Sequence, residues 1–159
     1  MRKLLVLCLI VFLVSCKDKD KDAVVDPDFA PGFVGSYSTT TIDGITTSVH
    51  DWDITSTEKN VLAIKYTKSS KITVSGTIVP LVQIYTLTAV KATAADSFTI
   101  DEVVDVDQTT AVALKQRLLG TATKVTNAAG NAQLNITLEF TNSVTGVKEQ
   151  VYLEFKKKA

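Results

Sequence analysis

From about residue 33 onward, apolar side chains recur at every second position. Leu62, Ile64 and Tyr66 share one parity, as do Ile72, Val74 and Ile78, and Phe98 and Ile100. Leu134, Ile136, Leu138 and Phe140 form another set, and Val147, Val151, Leu153 and Phe155 a last one. A period of two places each set on one face of a strand. Between Leu134 and Phe140 the opposite parity holds Asn135, Thr137 and Glu139, the pattern of an antiparallel strand with one dry and one wet face. Turn residues separate the runs. Asp43-Gly44 is the strongest hairpin signal, and residues 58–60, 68–70, 127–131 and 142–146 mark further turns. The pattern predicts strands near 34–42, 45–56, 61–67, 71–79, 81–91, 97–104, 113–126, 132–142 and 147–156. The stretch 107–119 reads either as strand or as a short helix ending at Gly120, because Ala111, Leu114 and Leu118 also fit helical spacing.

Composition strengthens the all-β reading. Residues 16–159 contain 22 Thr and 17 Val, together 39 of 144, and β-branched side chains pack well on pleated surfaces. No 20–50-residue repeat stands out. Eight or nine sequential strands with short connections predict an antiparallel up-and-down meander, which closes into a barrel or folds into a β-sandwich.

The first 32 residues follow another logic. Arg2 and Lys3 precede an unbroken apolar run from Leu4 to Val14, followed by Ser15 and Cys16. A basic start, a short apolar middle and a small residue at the cut make a secretory leader. The run is too short for a helix to cross about 30 Å of hydrocarbon. Leu13-Val14-Ser15-Cys16 resembles the lipobox of bacterial lipoproteins. That resemblance implies cleavage before Cys16, lipidation of its thiol and amine, and anchoring of the mature chain to a membrane. The alternating Lys17-Asp18-Lys19-Asp20-Lys21-Asp22 cannot build a core and reads as a solvated tether. It is also similar to the surface-export signal of Bacteroidetes-type lipoproteins, which implies a place in the cell envelope, at the outer membrane. The expected organisation is a signal peptide over 1–15, a lipidated Cys and flexible charged tether over 16–32, and one β domain over 33–159.

Within that domain, Phe33-Val34-Gly35-Ser36-Tyr37 resembles the Gly-x-Trp opening of lipocalin-like (calycin) barrels, with Tyr37 in place of the Trp. Asp96-Ser97-Phe98-Thr99-Ile100, Leu119-Gly120-Thr121-Ala122-Thr123 and the last hairpin are similar to those of small Bacteroidetes lipocalin-like lipoproteins. The resemblance implies a closed barrel around a ligand cavity. About eight strands enclose an interior that side chains fill or that holds one small ligand. By alternation, Trp52, Tyr66, Tyr85 and Phe98 are the expected ligand-binding aromatics, for a small apolar ligand.

Candidate catalytic chemistry is sparse. His50, Trp52 and Ile54 share one strand face, while Asp51 and Asp53 share the other, so His50 and these carboxylates cannot form a relay. Asp101, Glu102, Asp105 and Asp107 lack the spacing of an EF-hand and read as a charged surface stretch. No phosphate loop or nucleophile elbow is present. One His and no thiol beyond Cys16 leave few general bases, so no catalytic residue, metal site or cofactor is expected and the chain reads as a non-enzyme. With 17 basic and 17 acidic residues, the charge balance argues against a nucleic-acid partner. Lys156, Lys157 and Lys158 form a basic tail. Two readings stand: an envelope lipoprotein whose barrel binds a small apolar ligand, or a β-rich interaction module that contacts an envelope protein, such as an accessory subunit of an outer-membrane assembly.

Overall fold

The computed structural model describes residues 26–110 and 112–158. A short 3-10 helix, η1 (Ala30–Phe33), precedes eight strands: β1 (Gly35–Asp43), β2 (Thr46–Glu58), β3 (Val61–Val74), β4 (Thr77–Ala94), β5 (Ser97–Gln108), β6 (Leu114–Thr126), β7 (Ala132–Asn142) and β8 (Lys148–Lys157). Each strand pairs antiparallel with the next, and β8 returns to β1, so the sheet closes into an up-and-down barrel. This is the lipocalin-like architecture, and it settles barrel against sandwich. Cys16, the leader and the tether through residue 25 lie outside the described residues, as does Ala111.

The eight strands fall within the eight or nine expected, three of the nine predicted segments merging into two. The predicted turn at Lys68-Ser69-Ser70 is strand: β3 runs through it, with Ser70 opposite Ser48 on β2 and Leu81 on β4. The true reversal lies at Ser75-Gly76, where φ is 49° and 81°. Two successive positive φ values suit the right-handed twist of a two-residue hairpin. Polar Ser70 looked like a turn residue because the barrel interior becomes polar at that depth. Nor do Ile72, Val74 and Ile78 share one buried face: Ile78 lies opposite Thr73, on the other face from half-buried Ile72, and Val74 and Ile78 are largely exposed near the hairpin tip, as is Val147. The ambiguous stretch 107–119 carries no helix among its described residues. β5 extends through Gln108, β6 begins at Leu114, and Asp105 to Val106 pair with Lys115 to Leu114.

The folded part also begins before residue 33. Residues 26–32, expected to be tether, are clasped to the β2–β3 hairpin. The Asp28 carboxylate accepts from the amides of Ala30 (3.1 Å) and Asn60 (2.9 Å). Asn60 accepts from the Phe29 amide at 2.6 Å and donates to the Pro27 carbonyl at 3.1 Å. Ala30 and Phe33 are fully buried, which explains why the polar, Pro-containing segment is ordered. Lys59 pairs with Asp26 at 2.9 Å, and Lys124 donates to the Gly32 carbonyl at 2.8 Å.

Strand direction gives the barrel two distinct ends. The β2–β3, β4–β5 and β6–β7 hairpins surround η1 at the closed end. The other four hairpins surround an open mouth. The core fills the closed half: Trp52, Ile54, Leu62, Ile64, Leu87, Ile100, Leu118, Leu134, Ile136 and Phe155 are all essentially inaccessible.

Candidate functional site

On β2 and β3 the inward parity runs unbroken from floor to mouth, but its chemistry changes midway. On β2 it runs Ile54, Trp52, His50, Ser48; on β3 it runs Ile64, Tyr66, Lys68, Ser70, Ile72. The lower members pack against one another. Trp52 stacks on Phe155 with centroids 4.2 Å apart and tilts against Phe98 at 6.1 Å. Phe33 of η1 meets Phe98 edge-on at 5.2 Å and seals the floor. Tyr37 is buried, donates to the Phe33 carbonyl at 3.1 Å, and lies under the Lys157 ammonium of the last strand at 5.8 Å.

Above this aromatic layer lies a cavity of ≈ 670 Å³ that opens at the mouth. Its wall includes Thr41, Ser48, His50, Lys68, Ser70, Gln83 and Glu149, with Ile42, Ile72, Leu81 and Val151 as apolar members. A chain of polar contacts organises it. His50 Nδ1 is hydrogen-bonded to the Tyr66 hydroxyl at 2.7 Å, and Nε2 to the Thr41 hydroxyl at 2.9 Å. The hydroxyls of Ser48 and Ser70 meet at 2.7 Å. Tyr85 donates to Gln116 at 2.9 Å. Lys68 Nζ stands 3.8 Å from Glu149 and 5.6 Å from the centroid of the Phe140 ring.

Burial, with the Lys68 charge beside it, pulls the His50 pKa down to about 4, so the imidazole is neutral near pH 7. Burial pushes the Tyr66 hydroxyl well above its usual pKa and raises Tyr85 as well. The cavity therefore offers neutral hydrogen-bonding groups together with the Lys68 ammonium and the side chains of Asp43 and Glu149. Among the described residues, no group of three His, Cys, Asp or Glu side chains could hold a metal ion.

No protein-family model, curated protein or solved structure matches this chain.

The structure brings together the four aromatics expected to bind ligand, but as packed side chains. Trp52, Tyr66, Tyr85 and Phe98 are each at most 1% exposed. Trp52 and Phe98 belong to the floor. Tyr66 and Tyr85 stack on each other at 5.0 Å, and the Tyr66 hydroxyl reaches the wall of the cavity through His50. Sequence reasoning missed Thr41, Ser48, Lys68, Ser70, Gln83 and Glu149. Their signal was parity: each sits at even spacing from a core residue of its own strand, so a polar residue in the apolar phase marks a wet interior.

Other expectations resolve on the outer surface. Asp53 lies outside and accepts from Ser36 at 2.6 Å, while Asp51 pairs with Lys158 at 2.7 Å. Arg117 grips Asp101 with two bonds at 2.7 and 2.8 Å. Glu102, by contrast, has the inward parity of Ile100, opposite Leu118, and accepts from the amides of Thr88 and Ala89, both at 2.9 Å, where β4 bulges away from β5.

The mouth differs from the closed end in one more way. Each of its four hairpins presents exposed aliphatics: Ile42 and Ile45, Val74 and Ile78, Val112, and Val144 and Val147. The three hairpins at the closed end carry Glu58, Lys59, Asn60, Asp96, Asn127 and Asn131 instead.

Proposed function

We propose that this protein is an exported bacterial lipoprotein, held at the outer membrane by acyl chains on Cys16, whose barrel binds a small molecule without transforming it. The observation that carries the binding reading is the cavity, open at one end above a sealed aromatic floor. A site of this volume with a few convergent polar groups has the dimensions of a small-molecule site. Its lining favours an amphipathic ligand over the wholly apolar one suggested by aromatic content. Hydrogen-bonding or anionic groups would sit near His50, Lys68, Ser70 and Gln83, and an apolar portion would lie against Ile72, Leu81 and Val151. Both ring nitrogens of His50 are engaged by the Tyr66 and Thr41 hydroxyls, which suits a fixed hydrogen-bonding role toward a bound molecule.

The test for binding is thermal unfolding of the full-length protein with a panel of acyl-amino acids, aromatic carboxylates and long-chain alcohols. At least one class should raise the melting temperature. Ser70→Phe, which fills the cavity, should abolish that shift and leave the protein folded. A panel without effect would put the interaction-module reading first. For the anchor, intact-mass measurement should show an acylated N-terminus at Cys16, and Cys16→Ser should release the protein from membranes. A Cys16→Ser variant that stays equally membrane-bound would overturn lipidation.

The second reading, an interaction module for an envelope protein, is favoured by a separate observation. The aliphatics exposed on all four mouth hairpins form a ring, and grouped apolar exposure marks association surfaces.

A further inference from the structure

The barrel is incompletely zipped where β1 meets β8. Their pairing consists of Tyr37↔Lys157 and Ser38↔Lys156, followed toward the closed end by the Lys158 amide donating to the Ser36 carbonyl at 2.8 Å. Toward the mouth it stops, although β1 continues to Asp43 and β8 extends back to Lys148. Alternation along an antiparallel strand fixes which peptide groups face this seam. On β1 they are those of Thr40 and Ile42; on β8 they are those of Gln150, Tyr152 and Glu154. All five residues are exposed. The cavity wall includes Thr41, Ile42 and Asp43 on one side of the seam and Glu149 to Tyr152 on the other, so the cavity opens sideways through it.

A second split, between β4 and β5, makes the contrast. There the Glu102 carboxylate occupies the gap and accepts from two of the freed amides. At β1–β8 no side chain takes that role among the described residues. Two free main-chain edges face each other instead, flanked by Ile42 at 77% and Tyr152 at 55% exposure. A row of unpaired N–H and C=O groups is complementary to an extended polypeptide and not to a lipid or a folded surface.

The chain preceding the structure narrows the occupant. It joins the barrel at the closed end, where Asp26 meets Lys59. Nine residues separate Cys16 from Asp26, a reach of at most about 35 Å. That is about the height of a barrel with tilted strands of this length. The preceding chain is therefore long enough to reach the seam. Its Lys17–Asp22 repeat, however, carries no apolar side chain to set against Ile42 and Tyr152, so a polypeptide of another chain is the better match.

The geometry points to an extended segment of a partner polypeptide, alternating apolar and polar, that adds to the free edge of β8 at the mouth while the apolar rim receives the body of the partner. This rests on the interaction-module reading.

The experiment is hydrogen–deuterium exchange on the lipidated full-length protein in phosphatidylethanolamine–phosphatidylglycerol nanodiscs. The probe is a pool of soluble eight-residue peptides alternating Val or Ile with Thr or Lys. Amides of Thr40, Ile42, Gln150, Tyr152 and Glu154 should exchange freely without peptide and slow by at least about tenfold with it. Tyr152→Pro removes one N–H from the seam edge without touching the β7 ladder, a position where proline is tolerated; it should abolish protection with the melting temperature retained. Ser70→Phe, which removes small-molecule binding, should leave peptide protection intact, which separates the two readings. Seam amides already slow in the free protein would mean a closed wall and overturn the proposal. So would protection by nanodisc lipid alone, or none by any peptide of the pool.

Discussion

The two ends of this barrel are built from the same eight strands and the same alternation, yet they have opposite character. At the floor the inward positions hold Trp52, Phe98, Phe155 and the Phe33 wedge of η1, packed within stacking distance of one another. At the mouth the same parity holds Ser48, His50, Lys68 and Ser70 around open space. The polarity of the outer surface inverts in step. Hairpin tips are charged or amide-rich around the dry floor and aliphatic around the wet cavity. Stability and binding are thereby separated along the barrel axis. The floor supplies apolar burial, and the mouth is left free to present polar groups and unpaired edges.

If that division is right, the largest losses belong to the floor. Trp52→Ala should cost about 3–5 kcal/mol in denaturant melts, since it empties the centre of the aromatic layer. Leu138→Ala, midway along β7 and fully buried, should cost about 2–5 kcal/mol. Next comes Gly120, whose inward position on β6 has no room. An added Cβ would lie 2.7 Å from the Thr137 carbonyl oxygen and about as close as contact allows to Ile136 and Leu138, at 3.1 and 3.2 Å. Gly120→Ala should therefore destabilise by about 1–3 kcal/mol through displacement of β7.

The boundary between the halves should announce itself in pH dependence. His50 has a folded pKa near 4 against 6.5 unfolded, so the unfolded chain takes up the proton first. The contribution is whole above pH 6.5 and is lost as pH falls toward 4, on the order of 1–3 kcal/mol. His50→Gln should flatten the stability profile across that window, and an unchanged slope would show that the imidazole is not buried as described. The smallest effects should come from the mouth and the outer face. The double change Ser48→Ala with Ser70→Ala removes both partners of one hydrogen bond and should be nearly neutral. Glu139→Ala should stay within about 0.5 kcal/mol despite its Lys148 contact, as exposed ion pairs contribute little. Equal losses from the double serine change and from Trp52→Ala would erase the distinction between the two ends.

Alternation made the strands legible because period two survives wherever one face is dry. Leu134 to Phe140 and Leu62 to Tyr66 were readable for that reason, as was the inward placement of Trp52 with Asp53 outside. The misplaced turn at residues 68–70 has the same origin as the missed cavity. Lys68 and Ser70 are polar and inward, so hydropathy alone cannot tell them from a loop. The clasp of residues 26–32 was hidden too, because its order comes from the Asp28 carboxylate accepting from the Asn60 backbone amide across 32 positions, a pairing no local pattern encodes. The aromatics were correctly assigned to the interior. What alternation could not say was that neighbouring rings fill one another's space.

The ladder that closes the ring also bears on the order of events in folding. Every other ladder joins strands adjacent in sequence, so each can form as a hairpin with a small loop-closure cost. Joining Tyr37 to Lys157 brings together residues 120 positions apart for the sake of two register pairs. Such a contact rewards the chain only after the meander has already curled. Closure should therefore come after the rate-limiting step. Substitutions at Tyr37 and Lys157 should speed unfolding and leave the refolding rate nearly unchanged, with φ-values near zero, while Leu138 should carry a substantial one. The molecule would then spend the last moments of its folding as an almost finished cylinder whose first and last strands have yet to meet.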